Sequence, residues 1–263
     1  MVKKYLMLAK SSIHLDIAYP AWYWSHLIVT FSKLVLMVSF WSAVFDGKQL
    51  INGWDLSSLI TYTVLSMLLN EYVNGASWEL SNLIRTGQIS VELLRPYDLH
   101  FRLMAQDVGA TISNMMRTAV PLVLFMAFVY HLQFPVTILA GILFLWTVMV
   151  AIVLGNLIDL IIGTMAFWLE NMWGLRVFKA ALFLFFNGAL IPLNMFPDWL
   201  QYLCMWTPFP SLVYTPVGIF TGRIVGEPMW IACFIQLLWV VVIFIVLRLV
   251  WRVALRKVTV FGG

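Results

Sequence analysis

The sequence has 263 residues, 62% of them hydrophobic and 11% charged, with a formal net charge of +4. A soluble domain carries about 25% charge, and a globular core of this length cannot hide so much apolar surface beneath a wetted shell. The composition therefore excludes an ordinary soluble protein, and basic residues placed beside apolar runs point to membrane topology rather than to nucleic acid.

The apolar residues come in continuous runs of roughly 20 or more, the length that spans about 30 Å of hydrocarbon as a helix. A membrane β-barrel would show short alternating segments instead. An all-α integral membrane protein with six transmembrane helices is expected.

Residues 1–20 alternate basic and apolar positions, with Lys3, Lys4 and Lys10 among Leu6, Leu8, Ile13 and Leu15. This pattern predicts an interfacial amphipathic helix ended by Pro20. No short apolar core with a small-residue cleavage site follows these lysines, so no cleavable signal peptide is expected. A first span is predicted over 21–45, opened by the aromatic anchor Trp22, Tyr23 and Trp24 and closed by an Asp46-Gly47-Lys48 turn. The second span is expected over 56–78. A polar segment, 79–98, follows.

The third span is placed at 101–132, its polar first half projecting beyond the lipid, and the fourth at 136–167. The fifth is placed at 175–193. Residues 194–228 contain Pro197, Pro208, Pro210, Pro216 and Pro228 yet stay apolar, which fits short re-entrant helices buried against protein. The last span is predicted over 229–250. Residues 21–263 thus read as one six-helix transmembrane domain.

One side of this layout carries Lys3, Lys4, Lys10, Arg85, Arg95, Arg102, Arg176, Lys179, Arg248, Arg252, Arg256 and Lys257; the other carries Lys48 and Arg223. The positive-inside rule then places both termini in the cytoplasm.

No motif for chemistry stands out. There is no G-x-x-x-x-G-K-[S/T] phosphate loop and no G-x-S-x-G elbow. His14, His26, His100 and His131 are scattered, without metal spacing, so no metal site is expected. Cys204 and Cys233 read as apolar-packed free thiols rather than a disulfide.

Four charges fall inside expected spans: Lys33, Glu71, Arg117 and Asp159. Each costs roughly 2.5–3.5 kcal/mol at mid-depth on insertion scales. They should therefore face protein or a wet cavity, with Lys33 and Glu71 one pairing. They read either as a translocation path or latch, or as structural pairs and snorkelling side chains.

The cytoplasmic segment 83–96 is the most informative. Ile89, Leu93 and Leu94 fall on one face at helical spacing, and Pro96 stops the turn. Such a helix docks either on the protein's own helix ends or on a soluble partner that moves it.

Two motifs carry a family resemblance. Arg85-Thr86-Gly87-Gln88-Ile89 through Leu94-Arg95-Pro96 looks like an R-x-G-x-(I/L)…L-L-R-P segment. Asn187-Gly188-Ala189-Leu190-Ile191-Pro192-Leu193, followed by Phe196-Pro197-Asp198-Trp199-Leu200 and Pro208-Phe209, looks like G-x-x-(I/L)-P-L…F-P-x-W-(L/I)…P-F. In this order and layout the chain resembles the permease subunits of ABC-2 type ATP-binding cassette transporters over essentially its whole length.

The resemblance implies that a separate cytoplasmic ATPase holds ATP and Mg, so this chain is a transport subunit without a cofactor or its own ATPase activity. It implies a second permease chain, the same or related, and a cell (inner) membrane location. A coupling helix at about 83–96 carries over, with Arg85, Gly87, Gln88, Glu92, Leu94 and Arg95 as ATPase-coupling residues. The 194–228 stretch carries over as an outer gate, with Pro192, Phe196, Pro197 and Trp199.

Export of a hydrophobic or amphiphilic substrate, as in multidrug efflux, is the implied direction. Trp168, Trp173, Phe183, Phe185, Phe186 and Met195 either stack such molecules or simply face lipid and other helices. The competing reading is a proton-coupled secondary transporter using Glu71 and Asp159.

Overall fold

The computed structural model describes residues 20–75 and 77–257, with side chains described from Tyr23 onward. The interfacial helix expected over 1–20 and the side chain of Trp22 lie outside the described residues. Among those described, all regular structure is helical apart from one isolated bridge between Ile51 and Trp54.

Helix α1, Pro20–Phe45, opens on proline, whose fixed φ and missing N–H suit a first helical position. Helix α2 is Leu56–Tyr72, α3 Ser77–Arg85 and α4 Ile89–Leu93. Helix α5 is Leu99–Tyr130 and α6 Ile138–Thr164, extended by a 3-10 turn to Phe167. Helix α7 is Trp173–Phe186, α8 Asp198–Met205, α9 Tyr214–Phe220 and α10 Glu227–Leu255.

Side-chain caps mark where apolar runs enter helices. Asp55 accepts from Ser58 N at 3.1 Å, Asp98 from His100 N at 2.9 Å and Thr137 from Ala140 N at 3.0 Å. Between α1 and α2, Asn52 (φ 47°) and Gly53 (φ 75°) turn the chain so that Ile51 and Trp54 pair.

Among the described residues, four helices are long and apolar enough to cross a membrane: α1, α5, α6 and α10. The last is longer than the 229–250 expected. The other two predicted spans differ more. The run 56–78 breaks after Tyr72, and α2 has 17 residues. The run 175–193 yields α7, with 14 residues, before the chain turns at Gly188 (φ 80°). At 1.5 Å per residue these helices are about 26 and 21 Å long. Helix α2 is nonetheless buried along most of its length.

Helix α6 is the central post, packed by α10, α9 and α3. Its glycines allow close approach. A Cβ at Gly155 would lie 2.0 Å from the Val73 carbonyl oxygen, and one at Gly163 would meet Leu80 at 3.1 Å. The break after α2 therefore rests directly on α6.

Helix α5 has a π-helical turn at Met115–Ala119. Pro121 has no N–H to give the carbonyl of Arg117, and the Tyr23 hydroxyl of α1 donates to that oxygen at 3.0 Å.

Gly155→Ala should lower the melting temperature of the purified protein by several degrees, because backbone must move to admit the methyl group. Gly174→Ala, which meets open space, should leave it unchanged. Thermal unfolding followed by tryptophan fluorescence checks both.

Candidate functional site

The molecule has two differently built ends. One gathers residues 46–55, 131–137 and 187–226. There the links are largely hydrogen bonds to carbonyls. The Tyr62 hydroxyl donates to Gly188 O at 2.8 Å and Ser66 to Ala189 O at 3.2 Å. Trp54 Nε1 donates to Asn194 Oδ1 at 3.2 Å, and the Arg223 guanidinium lies 3.9 Å above the Trp54 ring.

Of the predicted gate residues, Pro192 is buried and Phe196 stacks on Phe185 at 5.0 Å. Pro197 and Trp199 are exposed. Short helices do form in the proline-rich stretch. However, Trp199 and Tyr202 of α8 and Trp206 just after it turn outward rather than against protein.

The other end is built on charge, around residues 77–98. Arg85, Gly87 and Gln88 lie exposed in the turn between α3 and α4. Gly87 has φ +74°, a conformation in which a side chain would be strained. Ile89 is buried in an apolar cluster with Leu80, Leu83, Leu99, Leu103, Leu160 and Trp251. Leu93 and Leu94, expected on the same face, instead point outward, Leu94 being 87% exposed. The helix is a turn and a half long, too short for the spacing rule to fix a face.

Glu92 turns inward. It accepts from the Tyr97 hydroxyl at 3.0 Å and meets Arg95 Nη1 at 3.4 Å and Arg102 Nε at 3.2 Å. Arg102, expected to project from the polar start of α5, is buried and also reaches Glu79 at 3.2 Å and Gln106 at 2.7 Å. Asp98 pairs with Arg248 of α10 at 2.6 Å. Burial pushes the Asp98 carboxyl up, but hydrogen bonds from His100, Arg248 and the Phe101 N–H outweigh it and hold the group well below the usual carboxylate range.

The intramembrane charges fall into two groups. Lys33 Nζ lies 2.7 Å from Glu71 Oε1, and His26 Nε2 is 3.5 Å from Glu71 Oε2. The Arg117 guanidinium contacts Asn114 Oδ1 at 3.1 Å beside them. The Lys33 side chain is 50% exposed in the isolated chain.

Asp159 is almost wholly buried. It meets Lys179 Nζ at 2.6 Å and accepts the N–H of Gly75 in the break after α2. Lys179 also donates to Asn74 Oδ1 at 2.6 Å. Asn70 and Asn187 continue the cluster at 2.7 Å, while Asp107 and Asn156 each bury an oxygen without a partner there. The sequence grouped Lys179 with loop basics. No periodicity links it to Asp159, and only the fold brings them together.

The fold and these sites define a polytopic, all-α membrane protein with a charged, partly exposed end and a buried polar cluster. The chain belongs to the ABC-2 family of transporter proteins: the model of that family, described as ABC-2 family transporter protein, matches residues 19–262. A comparison with curated proteins finds no match.

Asp159→Asn should destabilise by roughly 3–5 kcal/mol, since it strands a buried Lys179 charge. Adding Lys179→Met should recover part of the loss, because asparagine still accepts from Gly75. Chemical unfolding of the three variants checks the order.

The depressed Asp98 makes stability that is present above its unfolded pKa of about 3.9 and lost as pH falls through the lower folded value. Melting temperature should therefore fall with pH below about 4, more steeply in wild type than in Asp98→Asn.

Proposed function

We propose that the chain is the permease subunit of an ATP-binding cassette exporter, driven by a separate cytoplasmic ATPase that docks on residues 83–96. The observation that carries this reading is the arrangement of α4. Ile89 and Glu92 anchor it inward, while Val91, Leu94 and Arg95 stand exposed. Val91, Leu93 and Leu94 together form an exposed apolar group beside Arg95, the kind of contiguous patch that suits a partner. The family membership supports an ATP-driven partner.

Helices α2 and α7 complete six crossings in this reading, α2 as a short segment covered by protein. Arg85, Arg95, Arg176, Arg252, Arg256 and Lys257 stand at the end that bears α4, and Lys48 and Arg223 at the other, which supports a cytoplasmic α4 end and cytoplasmic termini. The proline-rich end then faces outward as a gate. A second permease chain covers the seam of Tyr23, His26, Lys33 and Glu71, since half-exposed charges on a spanning helix cannot face lipid. Its polar edge beside many aromatic side chains suits a hydrophobic or amphiphilic substrate. Proton coupling through Glu71 and Asp159 gains no support, because each carboxylate is already engaged by a lysine.

The chain should copurify from its own membranes with a soluble ATPase, and Leu94→Asp should lower the associated, vanadate-sensitive ATP hydrolysis at least about tenfold while melting stays unchanged. Wild-type protein that carries no ATPase but transports on a proton gradient would reverse the assignment.

A further inference from the structure

We propose that Arg102 is the positioning residue through which movement of the 83–96 segment enters the membrane helices. This rests on the coupling role proposed above for that segment. Helix α4 turns only Ile89 and Glu92 inward. The Ile89 contact is apolar and non-directional, so it tolerates sliding. The Glu92 contact is a nearly buried ion pair with Arg102, the two side chains being 10% and 9% exposed. Separating them would take from each its buried opposite charge and leave Glu92 to the half-exposed Arg95 and Arg102 to the half-exposed Glu79, so the two move together.

Arg102 fits this role by geometry. Its Nη1 is fixed by Gln106 on its own helix at 2.7 Å and by Glu79 of α3 at 3.2 Å. Its Nε faces Glu92 at 3.2 Å without the alignment of a hydrogen bond. One guanidinium fork thus ties α3, α4 and α5, which a lysine's single ammonium cannot do with the same geometry.

The start of α5 is in turn tied to α10 by Asp98 and Arg248 at 2.6 Å. A push on α4 therefore reaches α5 and α10 through two consecutive ion pairs, and α3, which begins at the break resting on α6, through a third.

The test uses the full complex purified through a tag on this chain, with hydrogen–deuterium exchange compared without nucleotide and with ATP plus vanadate. In wild type, exchange should change in residues 83–96 and in 99–106. Arg102→Gln should keep the first change and reduce the second at least fivefold. Arg102→Lys, which keeps the charge and the fold, should reduce it less.

Undiminished change at 99–106 in Arg102→Gln would overturn the proposal. So would joint loss at both segments, in Arg102→Gln and in the better tolerated Arg102→Lys, because that would mark Arg102 as a support of the fold alone. No nucleotide effect at 83–96 in wild type would sink the coupling reading itself and the role of Arg102 with it.

Discussion

The Asp159 carboxylate holds the break in the second apolar run. A helix that stops inside a membrane domain leaves N–H and carbonyl groups that cost several kcal/mol each unless protein satisfies them. Asp159 takes the Gly75 N–H with one oxygen and the Lys179 ammonium with the other. Asn74 holds the same ammonium from the broken segment. The charge that terminates α2 is thereby balanced by α7, and Gly155 lets the break sit against α6 at a distance no side chain would permit. Because α2 ends there, α3 can turn away, and the 83–96 segment arrives beside the start of α5 and the end of α10.

From that break the two ends follow different physics. At the 46–55 end, hydroxyl, indole and amide donors reach backbone carbonyls and side-chain amides. Such bonds are directional and insensitive to pH. Gln236 adds to them deep in α10, donating to Thr147 O at 2.8 Å and Ser211 O at 2.9 Å. At the α4 end, carboxylates and guanidinium groups do the joining. The more exposed pairs there can exchange partners at modest cost, while the nearly buried Glu92–Arg102 pair cannot. A proline-rich end held by hydrogen bonds and a charged end held by ion pairs are consistent with the gate and docking surface proposed for them.

Much of this was legible in the sequence, and the exceptions have physical causes. Continuous runs of apolar residues point to α1, α5, α6 and α10, since a spanning segment without strand alternation can satisfy its backbone only as a helix. The Lys33 and Glu71 pairing was open to inspection because two opposite charges in adjacent spans have few other partners. The break at residues 73–75 was not legible. Asn74-Gly75 sits in an apolar run, and glycine is ordinary in membrane helices. The group that holds it, Asp159, lies 84 residues away. Arg102 looked like one more positive-inside marker, and its burial depends on Glu79 and Glu92, which only the turns around Gly87 and Pro96 bring together. Leu93 and Leu94 misled because a five-residue helix gives too few turns for a face to be read.

The central claim is that residues 83–96 are the docking surface of a soluble ATPase. A photo-crosslinking amino acid at position 94, activated in intact membranes, tests it most directly, since Leu94 is the most exposed large apolar side chain of the segment. Mass spectrometry of the adduct should identify a soluble protein that carries a phosphate loop. Adducts confined to lipid, or to other copies of this chain, would contradict the claim.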